Sequence, residues 1–181
     1  MRRHFDHCMI SLKKKSKGVN ELIMQIRTIQ AKDNKKMEAI IKQSLESENL
    51  NIPGTAYFDP YLGELYQFYQ TEPNANYWVV VDENDEVAGG IGIGPFGNHD
   101  GVAELQKLYL APVAQGRGFA KKLMQTALEF ASKHYNQCYL ETFESLSAAN
   151  HLYEKFGFVK LEKPLSGSEH NACDCWYLKE L

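Results

Sequence analysis

The sequence predicts an α/β domain built on a mixed sheet, and three observations carry that expectation. Short runs with strand character alternate with amphipathic helical stretches along a chain of 181 residues, a length that suits one domain of ordinary size. The composition, 44% hydrophobic and 24% charged, is that of a globular protein with enough apolar residues for a core. No apolar run approaches the roughly 18 residues that a membrane span needs, so no membrane partner is expected.

The elements follow in order. Residues 1–23 are polar and basic around "SLKKKSKG" and show no core-forming period, so they read as a flexible N-terminal extension. The compact pattern of residues 24–181 begins near Met24, where translation could also begin. "MQIRTIQ" alternates and predicts a strand; Asp33 then caps a helix to about Leu45, with Met37, Ile40, Ile41 and Leu45 on one face. "NIPGT" breaks it. Tyr57, Phe58, Tyr61, Tyr66, Phe68 and Tyr69 form an aromatic block expected to be helical after Pro60. "YWVVVDENDEVAGGIGIG" predicts a hairpin around an Asp-Glu-Asn-Asp turn. "VAELQKLYL" is another strand. "GFAKKLMQTALEFASKHY" is the strongest helix, with Phe119, Leu123, Met124, Ala127, Leu128 and Ala131 facing inward. "QCYLETF" is a strand, and "SAANHLYEKFG" a helix capped by Ser147 and ended by Gly157. "FVKL" and "CDCWYL" close the sheet, the second placing Cys173 and Cys175 on one strand face. No internal repeat or low-complexity tract interrupts this order.

Charge and cysteines narrow the function. The net charge is −3, yet residues 1–23 hold six Lys/Arg against Asp6 and Glu21, so the body that follows is more acidic than the whole. An acidic body argues against nucleic acid and is compatible with a cationic substrate such as an amine. Four cysteines, Cys8, Cys138, Cys173 and Cys175, do not make a disulfide framework in a chain this long. His4, His7 and Cys8 lie in the basic segment, and no metal is expected there. The N-terminus lacks the 7–15-residue apolar stretch of a secretory signal, so a reducing cytoplasm is the expected setting.

Two glycine-rich stretches compete for an anion. "GGIGIGPFG" contains G-x-G-x-x-G at Gly92, Gly94 and Gly97. A dinucleotide fingerprint needs a helix at once after it and an acidic residue about 20 positions on. Here a turn and a strand follow, and no Asp or Glu lies between Leu105 and Leu128; a nicotinamide-type oxidoreductase is disfavoured. "QGRGFAKKL" instead runs directly into the strongest helix. Gly116 and Gly118 let a ligand approach the backbone, successive N–H groups can converge on one anion, and Arg117 can add a charge-assisted contact.

Gln115-Gly116-Arg117-Gly118-Phe119-Ala120 resembles the Q/R-x-x-G-x-G/A loop of the GNAT superfamily of acyl-CoA N-acyltransferases. The preceding "AELQKLYLAPVAQ" resembles that fold's fourth strand. "YLETFESLSAANHLYEKFGFVKL" resembles its next strand, helix and strand, with N-x-x-Y-x-x-x-G-F at Asn150, Tyr153, Gly157 and Phe158. The resemblance covers nearly the whole chain after the basic extension. It implies a central mixed, mostly antiparallel twisted sheet of about six or seven strands, about four flanking helices, and a splay between the fourth and fifth strands.

It also implies roles. Backbone amides from Gln115 to Ala120 bind the pyrophosphate of acetyl-CoA, backbone groups of Leu108, Tyr109 and Leu110 pair with the pantetheine arm, Asn150 hydrogen-bonds the cofactor, and Tyr153 protonates the departing thiolate. Acetyl transfer needs a base too, because an alkyl amine with a pKa near ~10.4 is protonated at neutral pH. Glu104, eleven positions before Gln115, is the first candidate and Glu141 the second; a water chain would serve equally. Tyr57 and Asp59, beside a turn, are the expected acceptor contacts along with Glu141. The expected function is N-acetyl transfer from acetyl-CoA to a primary amine in a ternary complex, and the alternative is a non-catalytic acyl-CoA-binding regulator on the same fold, which would release no thiol. The strands near the C-terminus offer an edge for a possible homodimer.

Overall fold

The computed structural model describes residues 23–168 and 170–181; the expected basic extension, with His4, His7 and Cys8, lies outside the described residues except for Ile23. Seven strands form one sheet: β1 Met24–Thr28, β2 Asn76–Asp82, β3 Val87–Pro95, β4 Val102–Leu110, β5 Gln137–Thr142, β6 Val159–Lys160 and β7 Cys175–Glu180. Their spatial order is β1-β2-β3-β4-β5-β7-β6. Every pair is antiparallel except β4 with β5. Among the described residues the α-helices are α1 Asn34–Ser47, α2 Leu65–Thr71, α3 Phe119–Ala131 and α4 Ser147–Lys155.

Helices cover both faces. Met37, Ile40, Ile41 and Leu45 of α1, with Leu65 and Tyr69 of α2, pack against Tyr77, Val79 and Val81 of β2. The alternate residues Trp78 and Val80 face the opposite way, against Leu123, Met124 and Ala127 of α3. A strand covered on both sides needs apolar residues at every position, which is why "YWVVV" shows no alternation.

Several local expectations are corrected. Asp33 holds the N-cap position of α1 as expected, but its side chain does not bond the helix amides: its carboxylate accepts the Gln30 N–H (2.7 Å) and pairs with Arg27 (2.7 Å), tying the turn before the helix to β1. Asn34 joins the two helices of that face, donating to Gln67 Oε1 (2.7 Å) and accepting the Tyr66 N–H (2.9 Å). Helical structure after Pro60 is broken into a 3-10 turn, Leu62–Glu64, and the short α2. Ser147 is the first residue of α4 rather than its cap, which is Leu146. The α3 helix stops at Ala131, short of Tyr135. Cys173 precedes β7, so it does not share a strand with the buried Cys175.

The run "GGIGIG" turns out to be the floor for two aromatic rings. A Cβ at Gly92 would stand 2.6 Å from Cζ of Tyr69, closer still to its hydroxyl, and 2.9 Å from Cδ2 of Tyr77. Both rings are buried, and their centroids lie 5.2 Å apart. Glycine is present because the rings cross the sheet there. Gly92→Ala is therefore expected to cost about 1–3 kcal/mol by overpacking, measurable as a Tm lower by roughly 2–12 °C.

Candidate functional site

The site begins with a bulge in β4. Gly90 pairs with Tyr109 and Gly92 with Gln106, so β4 carries one extra residue opposite β3. Lys107 adopts a φ of 50° there, a left-handed conformation that non-glycine residues rarely take. Three contacts hold it. The Tyr77 hydroxyl donates to the Lys107 carbonyl (2.9 Å), and the buried Lys107 ammonium pairs with Asp59 (2.7 Å) and sits 4.9 Å from the Tyr61 ring centroid. The sequence carried a sign of this. Apolar phase in "VAELQKLYL" slips from Ala103 and Leu105 to Leu108 and Leu110 across Gln106–Lys107, as an extra residue in a pleated strand requires.

Beyond the bulge the sheet opens. β4 and β5 pair only through Val102–Gln137, Ala103–Cys138 and Glu104–Tyr139. Past Glu104 the strands diverge, and a cavity of about 500 Å³ lies between them and the C-terminal end of α1. Its wall includes Glu104, Leu108, Tyr109, Leu110, Gln115, Glu141 and Tyr153, so seven of the expected site residues share one cavity.

At the other end of β4, "QGRG" forms the loop into α3. Gly116 and Gly118 have φ of 69° and 79°, and a Cβ on either would meet no atom within 4 Å. Among the described residues, the N–H groups of Gly116, Gly118, Phe119 and Ala120 donate to no other main-chain group. A helix start with open amides and its positive dipole end suits a phosphate. Gln115 departs from the expectation: its N–H donates to the Pro112 carbonyl (3.3 Å) and its side chain to the Leu110 carbonyl (2.9 Å), because a 3-10 turn, Pro112–Ala114, closes on it. Arg117 lies 3.7 Å from the Met24 sulfur and 5.8 Å from the Phe119 ring centroid.

Asn150 closes the turn between β5 and α4, donating to the carbonyls of Phe143 (3.0 Å) and Glu144 (3.2 Å). Its Oδ1 is buried without a hydrogen-bond partner among the described residues, an acceptor that a ligand amide could satisfy. Tyr153 is buried against Phe158 and Tyr177, and burial pushes its hydroxyl well above the usual phenol range.

The polar end of the cavity is a connected network. Tyr69 donates to Gln106 Oε1 (2.6 Å), and Gln106 Nε2 donates to Glu104 (2.6 Å). Burial raises the Glu104 pKa; the Gln106 hydrogen bond and the charges of His170 and Lys107 pull it back only in part. Both Glu141 oxygens accept hydroxyl protons, one from Tyr139 (2.7 Å) and one from Ser168. His170 Nε2 meets Asp59 Oδ1 at 3.0 Å. Burial works against a charged imidazole, but the Asp59 carboxylate outweighs it and raises the His170 pKa. In turn, despite burial, the His170 hydrogen bond and the Lys107 charge hold Asp59 below the usual carboxylate range. A ring nitrogen of His170 and one carboxylate oxygen each of Glu104 and Glu141 lie within 4.8 Å of one another. Three titratable side chains thus meet at this end of the cavity, with both Glu141 oxygens accepting hydroxyls and His170 Nε2 against Asp59.

Two expected acceptor contacts are elsewhere. Tyr57 donates to Glu46 (2.7 Å) under Lys42 and does not line the cavity. Asp59 stands behind His170 and Lys107, committed to both. The aromatic block is mainly packing: Tyr61 stacks on Phe68 (4.1 Å) and Phe68 meets Tyr69 edge-on (5.0 Å). Sequence reasoning missed Lys107, Gln106, Tyr69 and His170. The first could have been found from the slipped phase; His170, 111 residues from Asp59, left no local signal.

Comparisons with known proteins converge. Residues 42–158 match the acetyltransferase (GNAT) family. An uncharacterised N-acetyltransferase of Escherichia coli strain K12, YjgM, is 39% identical over 159 residues, 86% of this chain and 94% of that protein. Among solved structures, a GNAT-family acetyltransferase from Staphylococcus aureus Mu50 superposes with a TM-score of 0.73 at 18% identity, covering 87% of this chain and 99% of that one. The PaiA N-acetyltransferase from Thermoplasma acidophilum, in complex with coenzyme A, gives a TM-score of 0.66 at 19% identity, covering 88% and 100%. The expected sheet, four helices and opening between the fourth and fifth strands match this fold. Among the described residues, no helix is long and apolar enough to cross a membrane.

Proposed function

The chain belongs to the acetyltransferase (GNAT) family and is an acyltransferase, and from that premise we propose that it transfers the acetyl group of acetyl-CoA to a primary amine by direct attack in a ternary complex. The observation that carries this reading is the opening between β4 and β5: it starts at Glu104, passes Tyr153, and ends at Gln115 beside the exposed amides of α3.

The residues present fit the cosubstrate. The amides of Gly116, Gly118, Phe119 and Ala120 would hold its pyrophosphate, and neither glycine has a neighbour at the Cβ position to obstruct it. The β4 segment Leu108–Leu110, without a strand partner on the β5 side, would pair with the pantetheine arm as an added strand, and Asn150 Oδ1 would accept from one of its amides. Acetyl-CoA supplies the activated acetyl thioester. A main-chain N–H of the bulged strand would stabilise charge building on the carbonyl oxygen.

Glu104 takes the ammonium proton of the acceptor. Its pKa, raised by burial, makes it a stronger base than an ordinary carboxylate, and the Tyr69–Gln106 chain fixes the orientation of its carboxylate. Glu141, also in the cavity wall, helps hold the ammonium group. Asp59, Glu104 and Glu141 set three carboxylates against Lys107 and His170, which favours a cationic acceptor. Tyr153 donates a hydrogen bond to the departing sulfur.

The test is isothermal titration with acetyl-CoA, followed by a coenzyme A release assay across polyamines, amino acids and peptide amines. Saturable heat and amine-dependent release are expected. Binding with no release from any primary amine would replace this reading with a non-catalytic acyl-CoA-binding role; no binding at all would end both.

A further inference from the structure

A second cavity, of about 320 Å³, lies under the loop between β6 and β7 and is lined by Pro164–Ser168, Asn171 and Trp176. Glu141, His170 and Cys173 line both this cavity and the larger one that contains Glu104. His170 is thus an ionisable ring in the partition between an inner and an outer space. Its place is fixed from both sides: the ring bonds Asp59 (3.0 Å), which is anchored by the buried Lys107 (2.7 Å), and its main-chain N–H donates to Ser168 Oγ (3.1 Å).

Resting on the acetyltransferase reading, we propose that His170, oriented by Asp59, is the proton outlet of the site, carrying to the outer cavity the proton that Glu104 collects from the amine. The reaction consumes an ammonium and a thioester and yields an amide, a thiol and one proton: of the two protons that the nitrogen loses, one ends on the coenzyme A sulfur and the other is the one Glu104 collects. That proton must leave Glu104 before the next turnover. A ring nitrogen of His170 and an oxygen of Glu104 lie within 4.8 Å, a gap that one water bridges. In the step, the Glu104 carboxylic acid loses its proton and becomes carboxylate, while neutral imidazole gains one and becomes imidazolium. The imidazolium then releases it to water or buffer in the outer cavity, restoring both groups. The charged and titratable groups facing the ring are Asp59, Lys107 and Glu104, with Glu141 and Cys173 in the shared wall. The Asp59 carboxylate also keeps the ring in one orientation, as carboxylate–imidazole pairs do. His170 acts through Glu104, so it is a positioning and relay residue.

The experiment compares wild type, His170→Ala and Glu104→Gln in the coenzyme A release assay, with imidazole raised at constant pH and ionic strength. His170→Ala is expected to turn over about 10–100-fold more slowly, to recover as imidazole rises, and to show a displaced acidic limb in its pH profile. Wild type should be insensitive to imidazole, and acetyl-CoA affinity should be unchanged. His170→Gln, which keeps the side-chain bulk, covers the case in which the alanine variant fails to fold; its turnover should depend on the concentration of small buffers. A His170→Ala rate equal to wild type, or a deficit that no imidazole or buffer relieves, would overturn the relay alone. Full activity in Glu104→Gln would instead overturn the base assignment on which the acetyl-transfer reading draws.

Discussion

Glu104→Gln is expected to lower kcat/KM for the amine by about 10²–10⁴-fold while making the fold more stable at alkaline pH. The two effects share one cause. Glu104 sits in the cavity wall with its carboxyl desolvated, and burial raises its pKa in the folded state. A carboxyl whose folded pKa lies above its unfolded value disfavours folding once it is ionised. The penalty is absent below the unfolded value, near pH ~4, grows as pH rises through the folded pKa, and is complete above it. Glutamine removes that penalty and keeps an oxygen for the Gln106 hydrogen bond. Thermal melts of the two proteins should therefore coincide at low pH and separate at pH 8, with the variant higher. Equal melting at every pH would show that the carboxyl is solvated and unsuited to hold a proton near neutrality. Unchanged kcat/KM would remove it from the reaction.

Tyr153→Phe should reduce kcat by about 10²-fold or more and leave the affinity for acetyl-CoA intact. The ring is packed into the core at the inner end of the cavity, and phenylalanine keeps that packing. Only the hydroxyl is lost. Its raised pKa, caused by burial, keeps it protonated throughout the working range. The protonated hydroxyl can therefore donate to the charge that develops on the departing sulfur. The loss should fall on kcat, because the interaction forms as the sulfur leaves. Isothermal titration with acetyl-CoA provides the binding control. Wild-type kcat in the variant would show that this tyrosine is a packing residue.

The two variants probe residues of different legibility. Tyr153 was singled out only through the resemblance of "NHLYEKFGF" to the family's N-x-x-Y-x-x-x-G-F ending; the αL conformation of Gly157, φ 80°, is what that ending demands. The loop into α3 was legible from its glycines: Gly116 and Gly118 both take positive φ at the start of that helix. Glu104 could be placed on its strand by counting, but its desolvation depends on Tyr69, Gln106 and His170, which arrive from α2, from the same strand and from a distant loop.

What the sequence by itself determined is therefore what short-range periodicity and backbone conformation govern: the order of strands and helices, the buried strand "YWVVV", the helix start at "QGRGFA" and the strand character of "GGIGIGP". What only the tertiary structure decided is how side chains far apart in the chain share one dielectric and one set of protons. Asp59 was expected to meet an acceptor and is instead neutralised by Lys107 and His170; Glu141 has both oxygens engaged by Tyr139 and Ser168; the glycines of β3 make room for Tyr69 and Tyr77. Local pattern sets which face a residue presents, but burial and charge pairing depend on what the rest of the chain brings against that face.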